Sequence, residues 1–92
     1  MAGKYRTLIE SSLYSNQLSK LGGIKYLDEV LFGVTWALCK RPDIFPIIPK
    51  TKKLRLVKTE RIKSRSIEKF RIWFYITDKD DVELLAIEQE IE

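Results

Sequence analysis

The hydrophobic period of this chain changes once, and proline marks the change. From Ile24 to Leu38 apolar residues recur at steps of three and four: Ile24, Leu27, Leu31, Val34 and Leu38, with Tyr26, Val30 and Ala37 widening the stripe. From Phe70 they recur at every second residue, as Phe70, Ile72, Phe74 and Ile76 alternate with Arg71, Trp73 and Tyr75. Steps of three and four place side chains on one face of a helix, and a step of two places them on one face of a strand. All three prolines, Pro42, Pro46 and Pro49, fall between the two regimes, in Arg41 to Lys53 (RPDIFPIIPKTKK). Proline lacks an amide donor and disfavours helix in the residue before it, so the helical part must end near Lys40.

Each regime has internal punctuation. Ser12 is a good helix N-cap, Leu13, Tyr14, Leu18 and Leu21 follow at helical spacing, and Gly22-Gly23 supplies a stop, which predicts a first helix over about 12–21. The stretch Tyr5 to Glu10 is too short to separate a first strand from a lead-in to that helix. In the second regime Val82, Leu84 and Ala86 alternate with Glu83, Leu85 and Ile87, and the polar Asp78 to Asp81 lies before them as a turn. Leu54, Leu56 and Ile62 mark an earlier strand, joined onward through Lys63 to Lys69. The expected architecture is α+β: a helical hairpin packed on one face of a mostly antiparallel sheet, one domain over residues 1–92.

With 92 residues, such a domain builds one core and leaves little stability for buried polar machinery. The sequence contains no histidine, which excludes imidazole acid–base catalysis, Ser-His and Cys-His nucleophile pairs and His-ligated metal sites. It has one cysteine, Cys39, and so no intrachain disulfide. No CxxC, glycine-rich phosphate loop or EF-hand spacing occurs, and no cofactor or metal is expected. With no apolar run of membrane-spanning length, the expected setting is the cytoplasm, away from membranes.

Charge is distributed unevenly. Residues 40–72 carry twelve basic and three acidic side chains, whereas residues 73–92 carry one basic and seven acidic, ending in AIEQEIE. If Arg55 alternates with Leu54 and Leu56, it points away from the side those leucines bury; Arg61 does the same if the alternation continues. Arg71 lies on a like face of the next strand, with Trp73 and Tyr75 two and four residues on. Arginines beside exposed rings suit RNA, because guanidinium meets phosphate and rings stack on unpaired bases. Lys63 and Arg65 extend the same basic cluster. A plainer alternative stands beside this one: Trp73 and Tyr75 pack against segment 41–53, and the lysines form a solvated face. Cys39 is read as small core filling and Gly33 as a point of close approach.

The order of these elements resembles a known family. Leu21 to Phe45 (LGGIKYLDEVLFGVTWALCKRPDIF), then Pro46, the basic strand, Phe70 to Ile76 (FRIWFYI), an acidic turn and Val82 to Ile87 (VELLAI) together resemble the RelE/ParE superfamily of small bacterial toxins from type II toxin–antitoxin pairs. The likeness covers nearly the whole chain in element order. Its specific part is the helix ending before a proline-containing loop and the aromatic-Arg-hydrophobic-aromatic strand. It implies a toxin held silent by a cognate antitoxin that wraps it. RelE-like members cut mRNA in the ribosome without a metal, and ParE-like members poison DNA gyrase. By this likeness Arg71 matches the strand arginine, Arg55 and Lys58 fall on the preceding strand as catalytic candidates, and Arg61, Lys63, Arg65, Trp73 and Tyr75 are RNA-binding candidates. Tyr75 is also a candidate proton donor, and Trp36 is a packing residue or an antitoxin contact.

The acidic end departs from the family, whose last strand commonly runs into a His- or Arg-bearing motif. Three readings are open. A glutamate acts as general base; the acidic segment caps the basic strand or faces an antitoxin; or the chain binds its target without cutting, as a gyrase-directed inhibitor or a partner-binding scaffold.

Overall fold

The computed structural model describes residues 6–22, 27–60 and 69–90. Along the chain run β1 (Leu8–Glu10), α1 (Ser12–Lys20), α2 (Leu27–Lys40), a 3-10 turn at Pro42–Ile44, β2 (Arg55–Lys58), β3 (Lys69–Ile76) and β4 (Val82–Glu90). The four strands form one sheet in the order β1-β4-β3-β2. β2, β3 and β4 pair antiparallel, while β1 pairs parallel to β4 with Leu8 opposite Val82. The fold is therefore α+β with a mixed sheet. Its helical pair is not the first element, because β1 precedes it and pairs alongside the last strand.

One face of the sheet is buried. Phe70, Ile72 and Phe74 from β3, Val82, Leu84 and Ile87 from β4 and Val57 from β2 are sequestered with Tyr14 of α1 and Leu27 and Leu38 of α2. Leu18, Leu21, Leu31 and Val34 fill in around them. Burial of such side chains contributes roughly 1.5–3 kcal/mol each. Of the helical stripe read from Ile24 to Leu38, the part from Leu27 onward meets the sheet, and Ile24 and Tyr26 lie outside the described residues.

The first helix begins at Ser12, as expected, but its cap lies one residue earlier. Ser11, not Ser12, is the N-cap, in extended backbone, and its hydroxyl accepts from the Tyr14 amide at 3.1 Å. The same hydroxyl donates to the Leu85 carbonyl at 2.9 Å, and the Ser11 amide donates to the Leu84 carbonyl at 3.0 Å. The sheet needs these partners because its ladder is interrupted there. Trp73 pairs with Ala86 but Phe74 pairs with Leu84, leaving Leu85 as the extra residue of a β-bulge. Ile87, just beyond, donates its amide to Gln17 Oε1 of α1 at 2.9 Å. Strict alternation over Val82 to Ile87 is thus corrected: Val82, Leu84 and Ile87 face the core, and Ala86 faces away.

At the β3–β4 turn the Thr77 amide donates to the Asp81 carbonyl, the Thr77 hydroxyl accepts from the Asp81 amide, and Asp80 has a φ of 66°. On the other edge the proline-containing segment runs back along β2, with Ile47 bridged to Arg55 and the Ile48 amide bonded to the Leu54 carbonyl. No helix among the described residues is long and apolar enough to cross a membrane.

Candidate functional site on the outer sheet face

The face opposite the helices carries the side chains that alternate with the core. Cross-strand register arranges them in rows, because residues directly opposite in an antiparallel pair share a face. One row holds Lys58, Arg71 and Glu88; the next holds Leu56, Trp73 and Ala86; a third holds Tyr75 with Glu83; and Lys69 stands opposite Glu90 at the end.

Arg71, Lys58, Trp73 and Tyr75 are therefore brought onto one surface. Lys58 is exposed and directly opposite Arg71. The Arg71 guanidinium carbon lies 5.7 Å from the Trp73 ring centroid, within cation–π range. Nη2 of Arg71 forms an ion pair with Oε1 of Glu88, and its Nε is covered without a hydrogen-bond acceptor among the described residues. The pair is partly solvated, with the two side chains 34% and 45% exposed. The acidic closing segment thus meets the basic strand inside the sheet.

Arg55 does not share this surface, which corrects the expected alternation. It stands opposite Phe74, a core residue, so its side chain leaves the sheet on the helical side. There Nη1 donates to the Phe45 carbonyl at 2.6 Å and the Asp43 carbonyl at 3.3 Å, tying the 3-10 turn to β2. The leucine used to set the phase, Leu56, faces outward beside Trp73. It can do so because an apolar groove waits for it. Arg61, Lys63 and Arg65 lie outside the described residues.

That groove, of about 720 Å³, is lined by Phe45, Pro46, Ile47, Ile48, Pro49, Leu56, Lys58 and Trp73. Sequence reasoning weighed Trp73 against segment 41–53 only as packing; the structure makes the two into walls of an open trough with a lysine at its rim. Three prolines in eight residues confine the segment's pairing with β2 to the short stretch around the Ile47–Arg55 bridge, since each removes a ladder donor. Beyond the bulge, Tyr75 sits beside Glu83. Its phenol is pushed above the usual value by desolvation and by the Glu83 carboxylate, which accepts its proton in a hydrogen bond. A phenol so placed keeps its proton at neutral pH.

In electrostatic terms, Glu88 cancels most of the field Arg71 would present to an approaching phosphate, leaving Lys58 as the exposed cation of that row. Among the described residues no cluster of three or more metal-ligating side chains occurs. The Cys39 side chain is half-buried on α2. A comparison with protein-family models gives no match, and neither does a comparison with curated proteins.

Proposed function

We propose that this chain is the toxin of a type II toxin–antitoxin pair, RelE/ParE-like in class, with mRNA or the ribosome as its target and the outer sheet face as its working surface. The observation that carries the reading is the adjacency of Lys58, Arg71 and Trp73 on one face, beside a groove open to solvent. A phosphate at the Lys58–Arg71 row would leave the neighbouring base within reach of the Trp73 ring, and ring stacking needs no particular sequence. Positive charge aimed at a phosphoryl oxygen stabilises negative charge as it develops, which is how metal-free cleavage would proceed here. For that chemistry Arg71 must exchange Glu88 for the phosphate. A cognate antitoxin would hold the face silent.

A second reading has its own observation. The Arg71–Glu88 pair and the inward Arg55 leave the face poorer in free cations than its sequence suggested, while the groove beside it is apolar. These features favour a non-catalytic module that binds a protein target, such as a gyrase-directed inhibitor or a toxin-derived scaffold.

Expression of the chain alone, with mapping of cellular RNA ends, separates the two. The first reading expects growth arrest with new RNA ends, and both lost in Lys58→Ala. Arrest without new ends favours the second, and no arrest in either case refutes the toxin role. Binding to RNA should weaken steeply with salt, whereas binding to protein through the apolar groove should not.

A further inference from the structure

Lys58 belongs to two features at once. It stands opposite Arg71 in the row of cations, and it lines the apolar groove. Leu56, two residues back on the same face of β2 and about 7 Å away, faces that groove beside Trp73. The other wall, segment 45–49, is closed to hydrogen bonding. The Phe45 amide donates to the Pro42 carbonyl and the Ile48 amide to the Leu54 carbonyl, while the Pro46 carbonyl accepts from Leu56 and the Ile48 carbonyl from Thr51. Pro46 and Pro49 have no amide, so an incoming strand would find at most the Ile47 amide to pair with. Apart from Lys58 and the indole N–H of Trp73, the side chains lining the groove are apolar.

We propose that the groove seats one unpaired base of a single-stranded RNA whose phosphate lies on the Lys58–Arg71 row, and that it selects the base by ring size rather than by its edges. The walls ask three things of an occupant together: a negative charge within reach of Lys58, a flat apolar body, and no need of hydrogen bonds from the protein. A nucleotide turned out of its stack supplies all three, with charge and ring joined by one sugar, just as cation and apolar floor are one two-residue step apart on β2. The volume, about 720 Å³, is that of a site for one compact ligand.

The groove is formed before anything enters it. The backbone bridge between Ile47 and Arg55 ties the proline wall to β2, and Phe45 meets Phe74 of the core edge to face at 5.9 Å between ring centroids. Seating a ring therefore orders little of the protein. The inference rests on the RNA reading of the outer face, and the two fail on different results.

Fluorescence anisotropy with end-labelled single-stranded RNAs of one length tests it. The strands carry adenine, unsubstituted purine or uracil at every position, or tetrahydrofuran in place of every nucleoside. The base-free strand should bind about tenfold more weakly than the adenine strand, with the same salt slope because its phosphates are unchanged. Uracil should bind roughly threefold more weakly than adenine, and unsubstituted purine as adenine does, since it keeps the ring and lacks the amine. Ile47→Ser alters a side chain of the far wall that is 43% exposed. It should shrink the advantage of adenine over the base-free strand by about threefold and leave the base-free strand bound as by wild type; a loosened fold would weaken both. Trp73→Leu should shrink the same advantage further, and Ile47→Ser keeps the test decisive if that variant does not fold. A base-free strand bound as tightly as adenine, or an advantage intact in Ile47→Ser, would overturn the inference, leave the RNA reading standing and give the groove to a protein. Adenine bound much more tightly than unsubstituted purine would overturn it as well, because edges would then be read. If no strand binds, the RNA reading itself is refuted and this inference with it.

Discussion

Glu88→Gln is the most informative single change on the outer face. In the register observed, Glu88 stands directly across from Arg71, where Cβ atoms are about 5 Å apart, and its carboxylate occupies the side of the guanidinium a phosphate would need. The pair is partly exposed, so its loss should cost only about 0–1 kcal/mol of stability. Its effect on anion binding is larger. A carboxylate about 6 Å from a bound phosphate opposes binding by roughly 0.7 kcal/mol at the dielectric of water and by roughly 3 kcal/mol at the effective value of about 20 near a protein surface, that is by about threefold to a hundredfold in affinity. Arg71 released to a phosphate should also steepen the salt dependence by about 0.7 in the logarithmic slope for single strands. Fluorescence anisotropy with a labelled single-stranded RNA, titrated at several potassium chloride concentrations, reads both quantities. Lys58→Ala should shift both the opposite way. If Glu88→Gln binds RNA as wild type does, with an unchanged slope and an intact fold by circular dichroism, Arg71 does not meet phosphate and the RNA reading of this face is refuted.

Further outcomes follow from the scaffold. Ser11→Ala removes both a helix cap and the donor to the Leu85 carbonyl, and should destabilise by about 1.5–3 kcal/mol in chemical denaturation; Ser15→Ala, whose hydroxyl reaches only the exposed Glu10, should be near neutral. Arg55→Met should lower thermal stability by a few degrees through loss of the bonds to Phe45 and Asp43, while RNA affinity should be unchanged because Arg55 is absent from the outer face. The Tyr14 phenol is pushed up to about 12 by burial and then by Glu10, so the folded state holds that proton more tightly than the unfolded chain does. The stability this confers is complete below pH 10 and is lost as pH rises from about 10 to 12; the difference between wild type and Tyr14→Phe in alkaline unfolding isolates it.

Long, clean periodicities made the main elements readable. The stripe from Leu27 to Leu38 and the alternation from Phe70 to Ile76 each present one apolar face, and each buries the face expected. What escaped reading was phase within apolar runs. Leu54-Arg55-Leu56-Val57 has apolar residues in both phases, so alternation alone could not tell whether leucine or valine faces the core; pairing with β3 decides for Val57, and Arg55 turns inward with it. Leu84-Leu85-Ala86-Ile87 hides its bulge in the same way, since an extra apolar residue in an apolar run leaves no mark. β1 has three residues, too few for any period. The sorting of charge by segment was plain, but which base meets which acid depends on hairpin register, and the bulge shifts that register by one. Arg71 therefore meets Glu88, across a strand whose first half is counted differently from its second.

The parallel pairing of β1 with β4 has a consequence for assembly. Ser11 bonds to Leu85 across a sequence separation of 74, so the first strand finds its neighbour only when almost the whole domain has been made. On a translating ribosome the helices and the β2–β3 pair would emerge with the ledge meant for Val82, Leu84 and Ile87 bare. Closure must then bring distant parts of the chain together, a slow and non-local step. A nascent chain caught before that step would show its greasiest surface to whatever lies nearby, and timely capture by a chaperone would decide how much of it matures.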